Sequence, residues 1–170
     1  MKYSLKKIAL LTEIVGGIAI IISLLFVGLQ FRETAKATRS ATAAATVSEL
    51  TTWYSNIGNS EQGSRVFWNF MATPDSLSNE ERFQAIMNIH GAMLTFQNSY
   101  YLAQEGTLDE EIHQSLVEII NGVKNSPGFH VFWEARKSIF LTDFQEYVEQ
   151  NIASDKVNSE GIYNLNKEKP

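Results

Sequence analysis

IVGGIAIIISLLFVGL, residues 14–29, is an unbroken run of apolar and small side chains, and its reading decides what the rest of the chain can be. Extended to Ile8 and Phe31, with Glu13 and Gln30 marking its two ends, it predicts one membrane-spanning helix. At about 1.5 Å of rise per residue that helix is about 36 Å long, enough to cross a hydrocarbon core of about 30 Å with some tilt. Glu13, just inside the apolar segment, is expected at the headgroup level. The competing reading is a secretory signal peptide: Lys2, Lys6 and Lys7 form a basic start, and Ala35-Lys36-Ala37 fits the small-x-small cleavage pattern. The apolar segment is long for a signal, and Arg32 and Glu33 would fall just ahead of the cut, so an uncleaved anchor over residues 1–32 fits better.

One face of the span repeats at three- and four-residue spacing through Thr12, Gly16, Ala19 and Ser23. Small residues let helices approach closely in lipid, where packing and interhelical hydrogen bonds drive association. That face predicts self-association or docking on another membrane protein. The flanking cations, Lys2, Lys6 and Lys7 on one side and Arg32, Lys36 and Arg39 on the other, nearly balance, so the positive-inside rule sets no orientation.

Residues 1–40 carry six Lys/Arg against Glu13 and Glu33, whereas residues 41–170 carry eight against seventeen Asp/Glu. Basic groups near the lipid and an acidic remainder argue against a nucleic-acid partner, which would require a basic stripe on the soluble part. Without cysteine there are no disulfides and no thiolate metal ligands.

After the span, ETAKATRSATAAATVSEL (33–50) is rich in Ala and Thr and free of Gly and Pro, which predicts that the helix continues as a stalk over 33–58. A bundle of about five helices is expected over 59–153. Its first helix carries Val66, Phe67, Trp68, Phe70 and Met71 and stops at Thr73-Pro74. Ser78 to Glu81 reads as a capping box opening the longest soluble helix, with a stripe of Phe83, Ile86, Met87, Met93, Leu94, Tyr100 and Tyr101 that also holds His90 and Gln97. Thr107 to Glu110 reads as a second capping box, Ser126-Pro127 as a third start and Thr142 as the cap of the last helix. Residues 154–170 are polar and aperiodic and predict a disordered tail. Val66-Phe67-Trp68 and Val131-Phe132-Trp133 form a weak internal echo.

The expected class is therefore all-α, with one N-terminal transmembrane helix, a stalk and a small bundle. Glu110 and His113 make a single Glu-x-x-His pair, whereas di-iron bundles require two such pairs and further carboxylates, so no metal and no other cofactor is expected. His130 and Glu134 are spaced to pair on a helix surface. No phosphate loop, nucleophile elbow or His-Glu-x-x-His pair is present, and no catalytic residue is assigned. The leading expectation is a membrane-anchored interaction or assembly protein. The alternative is a bundle holding an apolar ligand or lipid, lined by Tyr100, Tyr101 and Trp133 with Phe96 and Phe132, and with His90 and Gln97 as polar anchors.

Four stretches, EIVGGIAIIISLLFVGLQFRETAKATR, ATPDSLSNEER, NSYYLAQEGTLDEE and SPGFHVFWEARKSIFLTDFQEYV, carry a resemblance over Glu13 to about Ile152. In them the chain resembles a widespread family of uncharacterised bacterial single-span proteins. The resemblance implies an anchor followed by a helical domain, in the bacterial inner membrane and usually on its cytoplasmic side. It implies no activity, cofactor or site residue.

Overall fold

The computed structural model describes residues 5–155, and among them the chain is all-α, with no strand. Six helices follow in order: α1 (Leu5–Gly58), α2 (Glu61–Ala72), α3 (Asn79–Gln104), α4 (Glu110–Val123), α5 (Pro127–Arg136) and α6 (Thr142–Ala153). Short 3-10 turns at Pro74–Ser76 and Lys137–Ile139 precede α3 and α6. The chain falls into two compact units that divide after Ser40. Most of the expected tail lies outside the described residues.

In the first unit every described residue, from Leu5 to Ser40, is exposed. α1 is the one described helix long and apolar enough to cross a membrane. The boundary of the second unit falls inside the expected stalk, at Ala41. The cause is a change of side-chain size: Thr46, Leu50, Trp53 and Ile57 return at helical spacing, bury or half-bury themselves, and give the last turns of α1 a face that packs on the bundle. The Trp53 indole N–H donates to Asn88 O of α3 at 2.9 Å, which fixes the register of that packing.

The bundle's core is aromatic: Phe70, Phe129, Phe132 and Phe144 are fully buried, with Met71, Met93, Ile120 and Val148 between them. α2 and α5 approach so closely that a Cβ added at Gly128 would lie 2.1 Å from Phe70 O. The two Val-Phe-Trp tripeptides sit on these two helices in different registers: Val66 and Phe67 are buried in the first, Phe132 and Trp133 in the second.

Helix starts follow their capping chemistry, with three departures from expectation. Ser78 does form the capping box, its Oγ accepting from Glu81 N at 3.2 Å while Glu81 Oε2 accepts from Ser78 N at 3.1 Å. The cap of α4 is Asp109 rather than Thr107: its carboxylate accepts from Glu111 N at 2.9 Å, while Thr107 Oγ1 donates back to Leu102 O. Ser126 makes no side-chain cap, because its hydroxyl donates to Val123 O at 2.6 Å. Leu141 occupies the cap position of α6, one residue before Thr142.

The expected stripe on α3 is also corrected. Met93 is buried as expected, but Phe83 and Leu94 are 64% and 46% exposed, and Ala85, Ile89, Ala92, Phe96 and Ser99 are buried beside it. The small residues at 85, 92 and 99 admit neighbouring helices closely and share the interior face with Ile89, Met93 and Phe96. Glu134 pairs with Lys137 at 2.9 Å, and the surface pair expected with His130 does not form.

Candidate functional site

The residues expected to line a ligand are not brought together in one place. His90 is half-buried, with its ring 5.1 Å from Phe140 and 6.5 Å from Phe132. Burial lowers its pKa below 6.5, and the nearby Arg136 guanidinium lowers it further. Trp133 is buried against Phe129 and Phe140, at 6.4 and 5.8 Å. His90 Nδ1 and Trp133 Nε1 are both shielded from solvent without a hydrogen-bond partner among the described residues. Gln97 is committed elsewhere: its Oε1 accepts from Leu141 N at 2.9 Å and holds the start of α6 against α3.

Tyr100 and Tyr101, with rings 5.4 Å apart, belong to a second group that the sequence did not single out. Its centre is His113, buried on α4 and joined to α3 and α6 at once. Its Nε2 lies 2.9 Å from Tyr147 Oη, and its Nδ1 lies 3.4 Å from Ser99 Oγ. The tautomer follows from Ser99, whose single hydroxyl hydrogen goes to Phe96 O at 2.8 Å. Nδ1–H is then the donor to Ser99, and Nε2 accepts from the Tyr147 hydroxyl, which leaves the imidazole neutral.

The electrostatics agree with a neutral ring. Burial lowers the His113 pKa below 6.5, with Glu110 opposing. Burial pushes the Tyr147 phenol up to about 12, so it stays a donor. The Tyr100 ring lies 4.6 Å from that of Tyr147, tilted by 35° to it. Ser99 is fully buried, which withholds its hydroxyl from any substrate, so this trio ties three helices rather than performing nucleophilic chemistry. The sequence signal was the Glu110-x-x-His113 spacing within one helix, which does not reach the partners Ser99 on α3 and Tyr147 on α6.

Lys124 is a further buried polar group absent from the expected set. At 1% exposed, its Nζ donates to Asn151 O at 2.9 Å and to Ser154 O. It supplies donors to carbonyls that the end of α6 leaves unpaired and places its charge at the negative end of that helix.

A small apolar pocket lies apart from the His113 group and from Lys124. It measures about 30 Å³ and is lined by apolar side chains, among them Phe67, Met71, Ile89, Phe96 and Phe129. Ligand sites for drug-sized molecules occupy about 300–1,000 Å³, well above the volume of this pocket. Of the aromatic residues expected to line a ligand, Phe96 borders the pocket, and Tyr100, Tyr101 and Trp133 do not. No group of three or more His, Asp or Glu that could hold a metal occurs among the described residues.

On α1, Thr12, Gly16, Ala19 and Ser23 share one exposed face. The hydroxyls of Thr12 and Ser23 donate to Ile8 O and Ala19 O at 3.0 and 2.9 Å, so the face carries no unsatisfied donor, and nothing stands within 4 Å of a Cβ at Gly16.

No family model, curated protein or solved structure matches this chain. The functional reading therefore rests on the residues themselves.

Proposed function

We propose that this chain is a membrane-anchored helical interaction or assembly protein. It is held in a lipid bilayer by residues 8–31 and associates through them with a second copy or with another membrane protein. The observation that carries the reading is the exposure of the whole apolar run: no described side chain covers Ile14 to Leu29, while the bundle buries Phe70, Phe129, Phe132 and Phe144. An apolar surface of that length is stable against lipid and unstable against water.

Thr12, Gly16, Ala19 and Ser23 form the association face, because their small side chains permit the close backbone approach on which helix pairing in lipid depends. The bilayer is a bacterial inner membrane; the balanced flanking cations set no orientation, and the resemblance leans to a cytoplasmic bundle. The protein uses no cofactor, carries out no reaction of its own and binds no nucleic acid.

The test is the mass of the full-length protein, extracted in mild detergent, by native mass spectrometry. The expected result is a defined multimer or a stoichiometric complex that Gly16→Leu and Ala19→Leu dissociate. A strict monomer, with no partner recovered by cross-linking in the membrane, overturns the reading.

A further inference from the structure

α1 does not stop at the end of its apolar run, and its continuation fixes where the next cations point. Arg32, Lys36 and Arg39 are four and three residues apart on an uninterrupted helix. At about 100° per residue they fall within an arc of about 60°, whereas Glu33 lies about 100° round from Arg32. All three are exposed, and no carboxylate among the described residues forms an ion pair with any of them. At the other end, Lys6 and Lys7 are consecutive, so they diverge by about 100° and make no stripe.

Depth and direction favour the same side chains. The headgroup layer beyond the hydrocarbon core is about 5–7 Å deep. Arg32 follows Phe31 directly, and Lys36 and Arg39 stand about 7.5 and 12 Å beyond it along the axis. Helical side chains lean toward the N-terminus and over the preceding turn, so all three reach back toward the lipid. Gly28, one turn before Arg32, has nothing within 4 Å of where its Cβ would be, which leaves the approach to Arg32 open along the helix.

We propose that Arg32, Lys36 and Arg39 form a binding site for the headgroups of anionic phospholipids. The planar guanidinium groups of Arg32 and Arg39 grip phosphate oxygens in pairs, and Lys36 adds a point charge between them. Zwitterionic lipids present the same phosphate together with a cation that the stripe repels, so the site selects net negative headgroups. The inference rests on residues 8–31 spanning a bilayer.

The experiment places the full-length protein in nanodiscs holding a minority of phosphatidylglycerol in phosphatidylcholine and reads the lipids retained by native mass spectrometry. Wild type is expected to retain phosphatidylglycerol in excess of its share, and R32Q/K36Q/R39Q to lose that excess, by about fivefold for each cation removed. K6Q/K7Q keeps it. Retained lipid at the bulk composition in wild type, or an unchanged excess in the triple variant, overturns the inference. Alkaline carbonate extraction of vesicles carrying the same proteins separates the two ideas: protein stripped from the vesicles removes the span itself, whereas protein that stays without lipid preference removes only the headgroup site. Far-ultraviolet circular dichroism confirms that each variant stays helical.

Discussion

The N-terminal apolar run and the bundle are both rich in large apolar side chains, yet the first exposes all of them and the second buries most of its own, with Phe83 and Leu94 among the exceptions. From Ile8 to Phe31 the apolar residues run round the whole circumference of α1, and Leu24, Leu25 and Phe26 are each at least 60% exposed. In the bundle, polar residues separate the apolar ones, so every helix has a face to turn inward, and Phe70, Phe129, Phe132 and Phe144 meet in the middle. The lesson concerns the partner each pattern demands. A one-sided apolar helix finds its partner within the chain, and the all-round run of α1 finds none among the described residues, which is why the proposed function gives it lipid.

The largest test of that contrast is a matched pair of truncations. Phe132→Ala removes a fully buried ring and is expected to cost the bundle about 3–5 kcal/mol. Leu24→Ala removes a side chain 66% exposed in the first unit and is expected to leave the bundle within about 0.5 kcal/mol of wild type. All three tryptophans, Trp53, Trp68 and Trp133, lie beyond Ser40, so urea unfolding followed by their fluorescence reports the bundle alone. Equal losses for the two variants would erase the distinction between the regions.

Glycine sharpens the contrast at the level of one methyl group. A Cβ at Gly128 collides with the backbone of Phe70 and Met71, which cannot turn aside as a side chain could. Gly128→Ala should force α2 and α5 apart and cost about 1–3 kcal/mol by the same fluorescence measurement. Gly16→Ala meets open space and should leave the bundle's unfolding unchanged. Wild-type stability in Gly128→Ala would mean that α2 and α5 are not in close contact in solution.

How far the sequence revealed this arrangement follows from the same contrast. The all-α class, the apolar run and the Ser78 capping box were legible because each rests on a local rule of spacing or cap chemistry. The inward face of α3 was not, since its helix is apolar on several sides and size alone misled: Phe83 and Leu94 looked like core, whereas Ala85, Ala92 and Ser99 were the residues that let neighbours in. The start of the packed unit at Ala41 was hidden by Ala and Thr composition, with Leu50, Trp53 and Ile57 too few to break the appearance of a stalk. His113 with Ser99 and Tyr147, and Lys124 with the end of α6, join residues 14 to 34 positions apart, and no local spacing rule reaches that far. The division of the ligand-lining set has the same origin, because one helical stripe on α3 faces two different neighbours along its length.

The smallest expected effect is a pH dependence that belongs to the bundle alone, since His90, His113 and His130 all lie beyond Ser40. Burial holds the folded-state pKa of His113 below 6.5, and His90 shifts the same way for the same reason, with Arg136 adding to it. The unfolded chain therefore binds protons that the folded bundle refuses. Their contribution to stability is fully present above the ordinary imidazole value and is lost as pH falls below about 6.5, at no more than about 1.4 kcal/mol per pH unit for each ring. Protonation of His113 would also turn Nε2 into a donor facing the Tyr147 hydroxyl, whose own hydrogen would then lose its acceptor. His113→Gln is expected to be less stable than wild type at pH 7.5, because Ser99 and Tyr147 lose their shared partner, but to lose less stability between about pH 6.5 and 5. Urea unfolding at a series of pH values in that window reads the slope, and Glu81, whose pKa lies below 4.5, does not contribute within it. Identical slopes for wild type and His113→Gln would show that the ring is charged or solvated in the folded bundle, and that the three helices are tied by packing rather than by this imidazole.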